Sequence, residues 1–226
     1  MSMDDSYAPT WDMVIASIPH RHDTLCELLA DLDVQISEAD PYGLQVGVRI
    51  YRDNLMVPYG DKTQQLINAS LASYVSCVDD DDMIAPGGVA RVLEALAKWP
   101  DYVGFCIEWT RDGAPQIPVE HSLNHPDWHN GPNMLMRSIM QFNPIRRYLS
   151  LDGTWEGGNE AERRWGNGVR ERGRVQNEVF IPQPPVYRYR ERTNNTFLTT
   201  RDPMQGEIPP LPVYRWLTPL ETPWSV

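Results

Sequence analysis

The segment Tyr74-Val75-Ser76-Cys77-Val78 runs directly into four consecutive aspartates, Asp79 to Asp82. Val75 to Val78 are short, apolar and bounded by charge, which predicts a buried strand ending where the carboxylates begin. Four adjacent carboxylates repel one another and lose hydration wherever a fold buries them. A divalent cation would offset that cost. Hard ions such as Mg²⁺ and Mn²⁺ take carboxylate oxygens, and Mg²⁺ commonly uses one or two of them together with substrate phosphates. The competing reading is a solvated acidic turn that caps a helix beginning near Pro86, because charge runs are ordinarily solvated loops.

The residues around this run extend the pattern. Met13 to Ile18 form an apolar stretch that stops at Pro19, a second candidate strand. Asp23 is a candidate helix cap, with Leu25, Leu28, Leu29 and Leu32 at helical spacing behind it. Gln45 to Tyr51 alternate and are rich in Val and Ile, as a strand requires. Asp61 is a candidate cap for a helix carrying Leu66, Ile67 and Leu71. After the aspartates, a helix is expected from about Gly87 to Lys98 and a strand over Tyr102 to Trp109. Strands alternating with helices predict an α/β fold, a mostly parallel central sheet flanked by helices. Ligands of such sheets bind beyond the carboxyl ends of the strands, where Pro19, Asp53 and the aspartates would lie. Past residue 110 the alternation fades into a loop-like 111–133, a candidate strand over Asn133 to Ile139 and a candidate helix over Glu160 to Arg172. The proline-rich tail reads as extended chain wrapping the body.

The 226 residues suit one large domain or two small ones. No apolar stretch approaches membrane-spanning length and the first residues lack signal-peptide character. Cys26, Cys77 and Cys106 have no metal-ligand spacing and are expected to be reduced, as in a cytoplasmic protein. The net charge of -11 is uneven: residues 1–100 carry 6 basic and 16 acidic side chains, and residues 101–226 carry 14 and 15. The whole molecule therefore repels nucleic acid at long range, although the arginines between Arg146 and Arg192 could contact phosphate. His121, His125 and His129 repeat every four residues, but Pro126 argues against the helix a zinc site would need there.

Several segments carry a family resemblance. SIPHR, YRDN, GDKTQQLINAS and YVSCVDDDDMIAPG, in that order, resemble the N-terminal half of family-2-like glycosyltransferases of the GT-A fold. Downstream, GGNEAERRWGNGVRERG is similar to the family's acid-base segment, commonly Gly-Glu-Asp-Arg-x-Trp. Arg163 and Trp165 align, Glu162 takes the place of the usual Asp, and Ala161 replaces the Glu. VYRYRERTNNTF is similar to the stretch that often closes the site. The matches cover residues 13 to 197. The resemblance implies one GT-A domain, with a donor half over about 13–110, an acceptor half over about 111–197 and a tail over 198–226. It also implies a small, soluble, bacterial or phage type of enzyme.

The implied chemistry assigns roles. A nucleoside-diphosphate sugar, most often a UDP-sugar, donates a sugar and leaves as a diphosphate. Mn²⁺ or Mg²⁺ stabilises the charge that develops on it. Asp81 and Asp79 are the implied metal pair, with Asp80 and Asp82 leaving the register open by one position. Pro19, Arg21, Asp53, Lys62, Asp79 and Asp80 are the implied donor contacts, with Asp53 at the nucleobase and Lys62 at the diphosphate. Each has a plainer alternative, a turn aspartate for Asp53 and a solvated first-turn lysine for Lys62. The helix dipole does not favour a cation in that first turn. Glu162, with Glu160 second, is the candidate base that takes the acceptor hydroxyl's proton in an inverting displacement. Trp128, His129, Trp155 and Trp165 are candidates for the acceptor side, with core packing the alternative for Trp165. A protein or glycan acceptor is expected before DNA. A phage enzyme acting on modified DNA bases, a nucleotidyltransferase and a non-catalytic nucleotide-sugar-binding module remain alternatives.

Overall fold

The computed structural model describes residues 8–54, 56–116, 119–122, 142–151, 165, 168–169, 175–191 and 208–220. Two strands come first, β1 (Trp11–Ser17) and β2 (Val46–Arg52), joined by α1 (His22–Ala39) and lying parallel. Then come α2 (Tyr59–Ala69) and β3 (Tyr74–Cys77), which pairs parallel to β1 on its other side. The pair β4 (Met83–Ile84) and α3 (Gly88–Leu96) leads into the ten-residue β5 (Tyr102–Arg111). Short strands β6 (Ala114–Pro115), β7 (Val119–His121) and β8 (Ile145–Arg146) all run antiparallel to β5. A one-turn α4 (Arg147–Ser150) precedes β9 (Glu178–Ile181), β10 (Tyr187–Glu191) and β11 (Leu217–Leu220).

The main sheet order is β11-β2-β1-β3-β8-β5-β10-β4, with β6, β7 and β9 also on β5. The sheet is mixed and largely parallel on the side holding β1, β2, β3 and β11. Burial explains the alternation. Trp11, Met13 and Ile15 of β1 join Val46, Val48 and Ile50 of β2 in the core beneath α1 and α3. Val14 and Tyr51 face the opposite core with Leu66 and Ile67 of α2. A period-2 strand thus serves helices on both faces. In α1, Leu25, Leu28, Leu29, Leu32 and Ile36 are all fully buried, as their spacing predicts. Gly104 lets strands flank β5 closely, since a Cβ there would lie 2.8 Å from the His121 carbonyl oxygen.

Some expectations are corrected. Asp23 and Asp61 do not cap their helices. Arg21 and Pro58 hold the N-cap positions, and both aspartates lie inside the first turn, where the helix dipole still favours them. The reason is local: the 3₁₀ turn Pro19–Arg21 leads straight into α1, so the chain turns before Asp23 is reached. Leu71 lies beyond α2 and is exposed. The aspartate run does not cap α3, whose N-cap is Gly87 in the left-handed region. The loop after residue 110 contains β6 and β7, and the tail contributes β11 to the sheet edge. That tail is pinned by Trp216 Nε1 donating to Asp33 Oδ1 at 3.0 Å and Arg52 Nη1 donating to the Pro209 carbonyl at 2.7 Å. Cys77 and Cys106 are buried and Cys26 is half-buried, all as free thiols. Among the described residues no helix is long and apolar enough to cross a membrane.

Candidate donor site at the strand ends

The parallel strands β1, β2 and β3 are in register, so their carboxyl ends open on one rim. β1 delivers Ser17, Pro19 and Arg21, β2 delivers Asp53, and β3 delivers Asp79 to Asp82. The solvated-turn reading fails here. Asp80, Asp81 and Asp82 are buried at 2%, 5% and 1% exposure, and Asp79 is half-buried.

Each aspartate side chain accepts from a neighbour, and Asp80 and Asp81 share one. Tyr59, in the first turn of α2, donates from its hydroxyl to Asp79 Oδ1 at 2.9 Å. Arg21 Nη1 donates to Asp80 Oδ1 at 2.8 Å and to Asp81 Oδ1 at 3.2 Å. Asp82 is held by β10: the Tyr187 hydroxyl donates to Oδ2 at 2.9 Å and the Arg190 N–H to Oδ1 at 2.7 Å. Tyr187 in turn accepts from the Asp79 N–H at 3.3 Å, and Arg190 Nε donates to the Asp81 carbonyl at 2.6 Å. Stacking on Phe142, with centroids 4.1 Å apart, fixes the Tyr187 ring.

The electrostatics follow from this packing. Withdrawal from water, with Asp81 adding repulsion, pushes Asp79 up to about 7 against the help of Tyr59. Burial and the charges of Asp79 and Asp81 push Asp82 well above the usual carboxylate range. Burial also raises Asp80, with Arg21 opposing. Burial would lower Arg21, but the carboxylates of Asp80, Asp81 and Asp79 outweigh it and hold the guanidinium firmly protonated. Asp80 Oδ2 is buried with no hydrogen-bond partner among the described residues. The rim is thus a carboxylate cluster short of positive charge.

Lys62 and Asp53 form a second, deeper pair. Their side chains are 3% and 4% exposed and their charged ends are in contact. Lys62 Nζ also donates to the Ser17 carbonyl at 3.2 Å, and the Val57 N–H donates to Asp53 Oδ2 at 2.6 Å. The solvated-lysine reading therefore does not hold. Burial lowers Lys62, and Asp53 opposes that shift. Asp53 does hold a turn, and its bond to Lys62 ties the end of β2 to α2.

Tyr59, Tyr187 and Arg190 were not foreseen as parts of this site. Tyr187 and Arg190 lie in the VYRYRER stretch whose resemblance pointed to site closure, but nothing in its composition said which carboxylate they hold. No signal singled out Tyr59.

Trp165 is 1% exposed and donates from Nε1 to the Ser150 carbonyl at 2.9 Å, packed with Tyr102, Ile145 and Leu149. Its place is in the core, the plainer of its two readings. His121 lies on β7 rather than a helix and is buried, with Nδ1 3.0 Å from Asn143 Oδ1. Trp128, His129, Trp155, Glu160 and Glu162 lie outside the described residues. Among the described residues no three His, Cys, Asp or Glu side chains form a ready metal-binding group. The carboxylates nonetheless suit a cation that draws its other ligands elsewhere. Asp82 has both oxygens committed, Asp79 Oδ1 and Asp81 Oδ1 each accept a bond, and Asp80 Oδ2 accepts none among the described residues, so the cluster keeps carboxylate oxygens of the kind that Mg²⁺ combines with phosphate oxygens.

No protein-family model and no curated protein matches the chain. Solved structures do. The structure of S. aureus TarS 1-349 is similar with a TM-score of 0.60 at 12% identity, over 80% of this chain and 60% of that one. Its complex with UDP-GlcNAc gives 0.59 at 10% identity, over 88% and 60%. Its complex with UDP gives 0.58 at 10% identity, over 80% and 60%. This chain therefore spans about 60% of the length of those structures. At such low identity the likeness is one of fold, and the fold is GT-A-like.

Proposed function

We propose that this protein is a glycosyltransferase that transfers a sugar from a nucleoside-diphosphate sugar, a UDP-sugar in the first instance, to an acceptor hydroxyl. One observation carries the reading: four carboxylates, the buried Lys62, the half-buried Arg21 and three parallel strand ends converge on a single rim of a GT-A-like sheet. That TarS of the same fold is solved with UDP and with UDP-GlcNAc supports a uridine donor.

In this reading Asp79 and Asp81 hold Mn²⁺ or Mg²⁺, which when bound supplies a Lewis acid for the charge of the departing diphosphate. The chain's own residues do the rest. Tyr59 orients Asp79, while Tyr187 and Arg190 lock Asp82 and so the turn that carries Asp81. Arg21 adds positive charge beside the diphosphate, while Lys62 and Asp53, paired with each other, form the floor beneath the donor. The acceptor hydroxyl gives its proton to Glu162, or to Glu160, as it attacks the anomeric carbon on the face opposite the leaving group. The product is inverted at that carbon. The acidic first hundred residues disfavour a polyanionic acceptor, which points to protein or glycan.

The test is UDP release from a panel of UDP-sugars with Mn²⁺, with and without short glycan and peptide acceptors. Slow hydrolysis of one sugar, accelerated by an acceptor and absent in Asp81→Asn, is expected. No release from any nucleoside-diphosphate sugar would leave the fold without this activity.

A further inference from the structure

We propose that Arg21 is an internal counter-cation standing in for the divalent ion, and that metal and donor diphosphate enter together by displacing it. The inference rests on the donor-site reading above. Arg190 is held by the Asp81 and Asp82 carbonyls, and the two cations that pair with carboxylates of the rim, Lys62 and Arg21, differ in a telling way. Lys62 is 3% exposed and doubly anchored, to Asp53 and to the Ser17 carbonyl. Arg21 is 30% exposed, and its guanidinium has no partner among the described residues besides Asp80 and Asp81. It therefore closes the carboxylates from the solvent side, where an incoming ion would arrive, whereas Lys62 is built into the floor.

The two contacts are also unequal. The 2.8 Å bond to Asp80 is the firmer, and the 3.2 Å bond to Asp81 the one more easily broken. Asp81 is the carboxylate assigned to the metal. Charge balance then dictates the order of events. A bare divalent ion must take Asp81 from Arg21, so part of what it gains is lost in the guanidinium left with Asp80 alone. A diphosphate arriving with the ion gives Arg21 new acceptor oxygens, a geometry the guanidinium fork suits. Arg21 moves from Asp81 to phosphate as the ion takes Asp81, and no buried charge is left unmatched. Metal affinity in the absence of nucleotide is thereby kept low by a residue of the chain itself.

The experiment is Mn²⁺ titration, by calorimetry or by the paramagnetic resonance signal of free Mn²⁺, with and without UDP. The proteins are wild type, Arg21→Gln, Arg21→Lys and the double variant Arg21→Gln/Asp81→Asn. Arg21→Gln should bind Mn²⁺ alone roughly tenfold more tightly, because a cation competing for Asp81 is gone. The enhancement that UDP gives to Mn²⁺ binding should shrink by about the same factor. Arg21→Lys should fall between, since one ammonium on a flexible stem cannot bridge both carboxylates as the fork does. The double variant should lose the gain, which locates the ion at Asp81. Unchanged or weaker Mn²⁺ binding in folded Arg21→Gln, with UDP synergy intact in wild type, overturns the inference and leaves the donor site standing. Should Arg21→Gln not fold, an unchanged affinity in Arg21→Lys overturns it equally. Absence of Mn²⁺ binding in every protein, with or without UDP, overturns both.

Discussion

The buried pair Lys62–Asp53 makes a quantitative prediction. Both side chains are almost wholly withdrawn from water, so removal of either leaves an uncompensated charge in the interior. Lys62→Met keeps most of the stem but strands Asp53, which is then left with the bond from the Val57 N–H. Breaking one side of a buried pair costs about 3–5 kcal/mol. Asp53→Asn should cost a similar amount, because the lysine then lies buried with only the Ser17 carbonyl. The double variant removes both charges and should cost less than the sum of the two by about 2 kcal/mol or more, the coupling expected of residues in direct contact. Urea denaturation of the four proteins, followed by tryptophan fluorescence, closes the cycle. Additive losses, or a loss below about 0.5 kcal/mol for either single change, would refute the reasoning that this ion pair clamps β2 to α2.

Three further outcomes follow from single sites. Tyr187→Phe keeps the stack on Phe142 but removes the hydroxyl that serves Asp82, and should cost about 1.5–3 kcal/mol in urea denaturation; a neutral result would mean that Asp82 does not depend on β10. His121 is held near 4 by burial, below its ordinary value of about 6.5, so the unfolded chain binds its proton first. Stability from this group is complete above pH 6.5 and is lost as pH falls towards 4, by about 3 kcal/mol. Because Asp79 and Asp82 shift in the opposite sense, the check is the difference between wild type and His121→Gln across that window. Glu162→Gln should lower transfer by roughly 10²-fold or more with UDP binding nearly intact. Near-normal turnover there, with loss in Glu160→Gln, would move the base role to Glu160.

The first half of the chain was legible because local periodicity and tertiary burial agree in it. Leu25, Leu28, Leu29 and Leu32 repeat at helical spacing and all are buried, and β2 alternates as its two cores require. That Pro19, Asp53 and the aspartates gather at one rim followed from the order of elements alone. What could not be read was which aspartate does what. That depends on Arg21, some 60 residues earlier, and on Tyr187 and Arg190, more than 100 residues later, and only the folded sheet brings them together. The two caps failed for a smaller reason, a 3₁₀ turn and a proline that begin the helices before the expected aspartates. The strand in the tail was hidden by Pro219. A proline cannot donate to a ladder, and it is tolerated in β11 because that strand lies at the sheet edge.

The most direct test of the central claim is a thermal melt of the wild-type protein with Mn²⁺ or Mg²⁺ alone, with UDP alone and with both together, repeated on Asp81→Asn. Two carboxylates form an incomplete ligand set that the diphosphate completes, so metal and UDP together should stabilise the protein by more than the sum of their separate effects. Ligand linkage puts that gain on the order of 1–3 kcal/mol at saturation. The synergy should vanish in Asp81→Asn while the fold remains intact. A wild-type melt that shows no synergy, with UDP or with any other nucleoside diphosphate, would contradict the donor site described for these strand ends.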